Sequence, residues 1–296
     1  MDKILLKRCL FYASWLALPF VAWLLWQLRE RRRRSLALLL LVPSLTFAWA
    51  RFIEPQMIRV QETRIAGTRI EARIALISDL HLGVYKDRAF LDRVVDRLSA
   101  LQVDAVAIAG DFTYEPQAHA LETLFEPLAR LEMPVYAVLG NHDQQAPGPD
   151  IDVALRAALQ AHGVRVIEGD IVEADGYRWA GLGDRWARRD DPGFLEQAPS
   201  DLPTLMLTHN PDSASRLSMS GATLVLAGHT HGGQIRIPGL YRHAIPSALG
   251  FDRGEGSTPG RDGRPVRVFT TAGMGEVGLP LRLFNPPAID ILELQP

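Results

Sequence analysis

Cysteine is nearly absent from this chain. One residue, Cys9, stands among 296. An internal disulfide is therefore excluded, and a thiolate metal cluster or a cysteine nucleophile is not expected. The same scarcity suits either side of a membrane and leaves the redox compartment open. Net charge is also nearly absent: 32 basic residues oppose 34 acidic ones, a balance of −2. No basic stripe marks the chain beyond residue 70, which argues against a nucleic-acid partner. There is no internal repeat and no low-complexity tract. Charge is missing altogether from residues 9–28 and from residues 35–50.

Those two stretches are strongly apolar. Residues 9–28 read CLFYASWLALPFVAWLLWQL, about the length that crosses a bilayer as a helix. Tyr12, Trp15, Trp23 and Trp26 add the aromatic content favoured at lipid interfaces. Neither stretch has a polar face, so a buried helix of a soluble core is the weaker explanation. Residues 35–50, SLALLLLVPSLTFAWA, are short for a full span, and Pro43 interrupts them.

Two readings of the pair compete. One is a helical hairpin with both segments in the membrane. The other treats the second stretch as an export leader, because a basic run, an apolar core and Ala48-Trp49-Ala50 resemble a cleavage signal. Its internal position favours the hairpin. Arg31 to Arg34 lie between the stretches, and a short Arg-rich loop stays cytoplasmic. Both the N-terminus and the rest of the chain are then expected outside, in the periplasm if the cell is Gram-negative. The bias is weak, because Lys3, Lys7 and Arg8 before the first stretch, with Arg51, Arg59 and Arg64 after the second, nearly offset it. A cytoplasmic domain is the alternative.

From about residue 70 the pattern changes to short β-rich apolar runs alternating with helix-like runs. Strands are expected at Ile74–Ser78, Ala105–Ala109, Val135–Leu139, Arg178–Leu182, Thr204–Thr208, Thr223–Ala227, Val266–Thr271 and Ile289–Leu294. Helical patterns fall near 87–100, 117–131 and 151–161. Alternation of this kind implies βαβ units and a largely parallel sheet, mixed where the later links shorten. Residues 233–264 are rich in Gly, Pro and Arg and read as a long surface loop.

Polar residues sit where these strands end. Ser78-Asp79-Leu80-His81 follows the first, Gly110-Asp111 the second, and Gly140-Asn141-His142-Asp143 the third. His209-Asn210 and Gly228-His229-Thr230-His231 follow two later strands. Any one of these is an ordinary turn, cap or surface residue. Five strand ends that all carry metal-capable side chains are not an ordinary coincidence, because α/β sheets bind ligands at the carboxyl ends of their strands. Carboxylates and imidazoles suit Mn, Fe and Zn. Two Asp, four His and an Asn amide exceed the demand of one tetrahedral ion, so two divalent ions sharing a carboxylate are expected. Glycines before Asp111, Asn141 and His229 let the backbone approach closely. His119 and His162 read as surface residues. His243 falls in the long loop.

In this order the residues resemble the calcineurin-like metallophosphoesterase superfamily: D-x-H, G-D, G-N-H-D/E, H, then G-H-x-H. The resemblance implies a layered α/β-β/α sandwich of helices and sheets, here preceded by transmembrane helices. It implies one metal on Asp79, His81, Asp111 and His231, and a second on Asp111, Asn141, His209 and His229, with a bridging hydroxide as nucleophile. His142 would lie outside the metal shell, as a general acid or as a donor to the phosphoryl charge. The motif His229 to Gln234, with Thr271-Ala-Gly-Met-Gly and Leu279-Pro-Leu-Arg282-Leu-Phe-Asn-Pro-Pro, is similar to a membrane-associated branch that includes phospholipid and UDP-2,3-diacylglucosamine phosphoesterases. Arg282 is the one cation of that last block and a candidate phosphate contact. Two departures stand out. Phe112, Thr113 and Tyr114 occupy the place where the family often has a further acid, and Ala288 stands where the branch tends to have Glu.

The expected organisation is an anchor over 1–52, a linker and lead-in strand over 53–70 and a catalytic domain over 71–296. The expected function is metal-dependent hydrolysis of a phosphoester or phosphoanhydride on a membrane-associated phosphorylated lipid or small molecule. A catalytically silent scaffold and a nuclease or nucleotide phosphodiesterase are the alternatives. Oligomeric state leaves no trace in the sequence. A periplasmic domain also weighs against a cytoplasmic UDP-linked lipid. Fusing alkaline phosphatase or a fluorescent protein to the C-terminus tests the topology: active phosphatase with a dark fluorescent fusion is expected. Fluorescence without phosphatase activity would place the domain in the cytoplasm.

Overall fold

The apolar runs after residue 70 become strands because both of their faces are buried. A computed structural model describes residues 3–30, 33–144, 150–174, 176–218 and 222–296. Arg31 and Arg32 of the basic run lie outside the described residues. The first strands are β1 (Arg59–Ile65), β2 (Ala72–Ile77), β3 (Leu82–Gly83), β4 (Ala105–Ala109), β5 (Thr113–Tyr114), β6 (Val135–Val138) and β7 (Val164–Val166). Then come β8 (Ile171–Ala174), β9 (Tyr177–Gly181), β10 (Thr204–Leu207), β11 (Leu224–Ala227), β12 (Gly254–Pro259), β13 (Pro265–Thr270) and β14 (Ala288–Leu294).

They form two six-stranded mixed sheets, ordered β1-β14-β2-β4-β6-β7 and β12-β13-β11-β10-β9-β8, with β3 and β5 as a separate pair. The strands β2, β4, β6 and β7 run parallel, as do β9, β10, β11 and β13. Alternate residues point to opposite faces. Ile74 and Leu76 of β2 therefore meet Trp179, Leu205 and Leu226 of the second sheet. Their neighbours Ala75 and Ile77 meet Phe90, Val94 and Leu98 of helix Arg88–Ser99. That helix starts where the Asp87 carboxylate accepts from the Phe90 amide at 3.0 Å, a side-chain N-cap. Helix Asp152–Ala161 covers the same face through Leu155 and Leu159.

Three expectations change. Residues 118–130 are not one helix but three short pieces, Ala118–Ala120, Leu121–Phe125 and Glu126–Arg130; Pro127 lacks the N–H that a continuous helix needs. The loop 233–264 contains an edge strand, β12, paired antiparallel with β13. Its Gly- and Pro-rich sequence hides the strand because an edge needs backbone pairing more than side-chain propensity. The second apolar segment is not short. It is helical from Arg34 to Gln56 and, like Ile4–Arg29, is long and apolar enough to cross a membrane.

The second helix outlasts its apolar run because its polar residues are partnered. Arg51 donates from Nε to Ser14 Oγ at 2.8 Å and lies over the Phe11 ring. Glu54 accepts from Trp49 Nε1 at 2.8 Å. Ala50 is buried, and its carbonyl accepts from the Arg282 amide at 2.9 Å. Ala48-Trp49-Ala50 is thus helical backbone, joined to the sheet domain at Ala50. Lys86 donates to the Pro55 carbonyl at 2.7 Å and pairs with buried Glu276 at 3.2 Å. The first helix docks through Lys7, which meets Glu115 at 2.8 Å and lies over the Tyr114 ring.

Burial pushes Asp290 of β14 up to about 6 from 3.8. A carboxyl raised in the folded state favours folding while it is protonated. That contribution is lost as pH rises from about 4 through 6, and at pH 8 the charged side chain costs about 3 kcal/mol. Asp290→Asn is therefore expected to raise the thermal unfolding midpoint at pH 8 and to change it little at pH 4. Equal midpoints at both pH values would show that Asp290 is well solvated.

Candidate metal centre

The seven side chains singled out by sequence arrive at one edge of the sandwich. Asp79 and His81 follow β2, Asp111 follows β4, Asn141 follows β6, His209 follows β10, and His229 and His231 follow β11. All seven are buried. Close packing forces unusual backbone. Asp79, His81, Asp111, His229 and His231 have φ of 52°, 47°, 53°, 69° and 51°. Non-glycine residues seldom enter this left-handed region, and each costs on the order of 1–3 kcal/mol. Neighbouring backbone holds them there: Asp79 N donates to Gly110 O at 2.9 Å, and His81 N to Asp111 O at 3.1 Å. Glycine is required at 140 and 228 for space. A Cβ on Gly140 would overlap the Asp111 carboxylate, and one on Gly228 would overlap Ser78 Oγ.

The ligating atoms converge in two groups. His81 Nε2 lies 3.0 Å from His231 Nε2, and Asp79 Oδ1 lies 3.3 Å from His231 Nε2. On the other side, His209 Nε2 lies 3.1 Å from His229 Nδ1. One atom, Asp111 Oδ2, reaches both groups, at 3.5 Å from His81 Nε2 and 3.2 Å from His209 Nε2. Two histidines are oriented from behind. His209 Nδ1 donates to Ala109 O at 2.7 Å and His81 Nδ1 to Thr113 O at 3.3 Å, which turns each Nε2 inward. Asp79 Oδ1 is buried with no hydrogen-bond partner. Nitrogen lone pairs facing one another beside an unpartnered carboxylate oxygen are a donor set for cations.

Titration follows burial and proximity. Burial brings His81 and His229 down to about 3, and His231 well below its ordinary value, so these rings are neutral at pH 7. Burial pushes Asp79 up to about 6. It also opposes charge on Asp111 and His209, but their contact outweighs it. Asp111 is held well below and His209 well above the usual value.

His142 lies beside the cluster. Its amide donates to Asp111 Oδ1 at 2.9 Å, and its ring meets those of His81 and Tyr114 edge-on. Burial lowers it from the ordinary imidazole range. Asp143 ties the loops after β4 and β6 together by accepting from Phe112 N, Thr113 N and Gly140 N at 3.0, 3.0 and 3.1 Å. The segment that departs from the family's acidic pattern is therefore used for backbone donors.

Arg282, expected to meet a phosphate, is placed otherwise. It is completely buried, and its guanidinium donates to the carbonyls of Ala272, Gly275 and Asn285. With every N–H direction directed at backbone, it braces the loop after β13. Gln234 of the GHTHGGQ motif is similar: it bonds Val277 and Leu279. His119 and His243 are exposed, and His162 contacts Glu122 O. Sequence reasoning missed Trp186, whose ring meets His229 edge-on at 4.5 Å, and buried Asp184, which burial raises near His209. Gly183-Asp184 at the end of β9 repeats the glycine–acid signal and was the one available clue.

The family described as calcineurin-like phosphoesterase matches residues 72–233. The chain is 28% identical over 269 residues to an uncharacterized metallophosphoesterase, YkuE, of Bacillus subtilis, across 84% of this chain and 90% of that protein. It is 27% identical over 267 residues to the phosphodiesterase YaeI of Escherichia coli, across 84% and 92%. It is 28% identical over 263 residues to the UDP-2,3-diacylglucosamine pyrophosphatase LpxG of Chlamydia trachomatis, across 69% and 78%. With a match over more than half its length and a cluster of buried ligands at its strand ends, the chain belongs to the calcineurin-like phosphoesterases and is a hydrolase of phosphoester bonds.

Proposed function

We propose that this hydrolase is a membrane-anchored, two-metal enzyme acting on a phosphorylated lipid or a similar amphiphile. The observation that carries the metal assignment is the position of Asp111 Oδ2 between two imidazole groups. One ion would be held by Asp79, His81, Asp111 and His231. The other would be held by Asp111, Asn141, His209 and His229, with Mn, Fe or Zn suited to both. Two such ions supply Lewis acidity and an activated water.

The chain's own residues do the rest. The Nδ1 contacts that fix the His81 and His209 rings set the positions of their Nε2 atoms before substrate arrives. In the reaction, the oxygen of water forms a new bond to phosphorus and the bond to the leaving oxygen breaks. His142, lining the same cavity, supplies a proton or an N–H to the oxygen that gains charge.

Two further observations support a membrane substrate. Both N-terminal helices are long and apolar enough to span, and they expose Leu16, Leu39 and Val42. The relative named for UDP-2,3-diacylglucosamine acts on an amphiphile. The Arg-rich connection between the helices supports an extracytoplasmic domain, with the division anchor 1–52, linker 53–70 and catalytic domain 71–296. The second helix reaches Gln56, so the anchor's rigid part extends a turn beyond residue 52.

Reconstituted full-length protein is expected to hold two ions per chain by elemental analysis and to hydrolyse bis-p-nitrophenyl phosphate. His229→Ala or Asn141→Ala is expected to lose one ion and the turnover. Survival of metal-dependent turnover in either variant would sink the assignment. His142→Ala is expected to keep both ions and to lower kcat by about 10²–10⁴-fold. A loss of metal equal to the loss of rate would instead make His142 a ligand.

A further inference from the structure

Above the cluster lies a cavity of about 500 Å³. Its floor is polar, formed by Asp111, Asn141, His142 and His229, but its wall is apolar and includes Ile235 and Leu279. A second cavity of about 430 Å³ lies between the second N-terminal helix and the sheet domain. Val42, Pro43, Thr46 and Phe47 line it from the helix, and Ile235, Leu281 and Leu283 from the loops. It has no charged lining residue. Ile235 belongs to both cavities, and a backbone bridge pairs it with Leu283.

We infer that the two cavities form one binding site, in which a single alkyl or acyl chain of the substrate lies along the second helix while its phosphate rests over the metal cluster. The inference rests on the hydrolase proposed above and names the part of the substrate which that proposal leaves open. Several observations select this occupant. The outer cavity offers one hydroxyl, that of Thr46, and no charge, which suits hydrocarbon and gives a peptide or a nucleotide nothing to pair with. The cavity shares the side chain of Ile235 with the one whose polar floor is the candidate metal centre. Its other wall belongs to a helix whose exposed face, at Val42 and Leu39, is fit for lipid. A chain can therefore move sideways from the bilayer into the groove without crossing water. Leu279 of the inner cavity is exposed, as are Ile237 and Phe284, which follow the lining residues Ile235 and Leu283 closely in the chain, and exposed apolar residues of this kind suit the same lipid environment.

The test uses the full chain in lipid nanodiscs with two synthetic diesters, methyl p-nitrophenyl phosphate and hexadecyl p-nitrophenyl phosphate. The readout is the ratio of their kcat/KM values. Wild type is expected to prefer the hexadecyl ester by roughly tenfold or more. Thr46→Trp, at an exposed helix position, adds bulk inside the groove and is expected to bring the ratio to about one. Leu45→Trp, exposed on the same helix outside the groove, is expected to retain the preference. A wild-type ratio near one, or a preference untouched by Thr46→Trp, overturns the groove while leaving the hydrolase standing. No turnover of either ester would bring down both. A second readout needs no turnover: metal-free protein is irradiated with hexadecyl phosphate bearing a terminal diazirine. Adducts are expected on Phe47, Ile235 or Leu283, and adducts confined to lipid-facing residues such as Leu38 and Leu45 would overturn the inference.

Discussion

Two carboxylates, Asp79 and Asp111, are buried at one edge of the sandwich within reach of the same imidazoles. Burying like charges together is costly unless opposite charge or hydrogen bonds accompany them. Among the described residues the compensation is incomplete. Asp111 Oδ2 lies 3.2 Å from His209 Nε2, and the amides of His142 and His229 reach Asp111 and Asp79 at 2.9 and 3.0 Å. His81, His229 and His231 stay neutral under burial. The balance of the site is therefore negative, and divalent cations are what such a balance favours. The five left-handed residues follow from the same demand. Side chains from separate strands meet at one place only if the backbone turns sharply as each strand ends, and the sheet on either side is rigid enough to hold the strain.

This explains which parts of the molecule could be read in advance. The eight expected strands are apolar on both faces because they lie between layers, so they stand out as short unbroken runs. The strand ends stand out because a glycine beside an acid, amide or imidazole is needed wherever the backbone closely approaches a neighbouring loop's side chain, as at Gly140 and Gly228. Strand β12 was hidden because its pairing is made by backbone, and the break at Pro127 was hidden by a helical spacing of apolar residues on either side. Arg282 was misread because a lone arginine among apolar residues looks the same in sequence whether it meets a phosphate or three carbonyls. Only the fold shows that the loop after β13 passes around its guanidinium. The continuation of the second helix beyond Ala50 was hidden for a related reason. Arg51 and Glu54 look like the end of an apolar segment until Ser14, Trp49 and the Asn285 amide are seen to partner them.

The residues that resemble the membrane-associated branch acquire a physical meaning from these contacts. Asn285 donates from Nδ2 to the His231 carbonyl at 2.6 Å, while its own amide donates to Glu54 at the end of the second helix. Gln234, three residues after His231, clasps the backbone at Val277 and Leu279, and Arg282 joins that loop to Ala272 and Gly275. The segments 231–236 and 271–285 thus form one layer with the candidate metal centre on one side and the end of the apolar helix on the other. His231 and Glu54 are linked through a single residue, Asn285. The height of the cluster above any bilayer that holds the helix is therefore not left to a flexible linker.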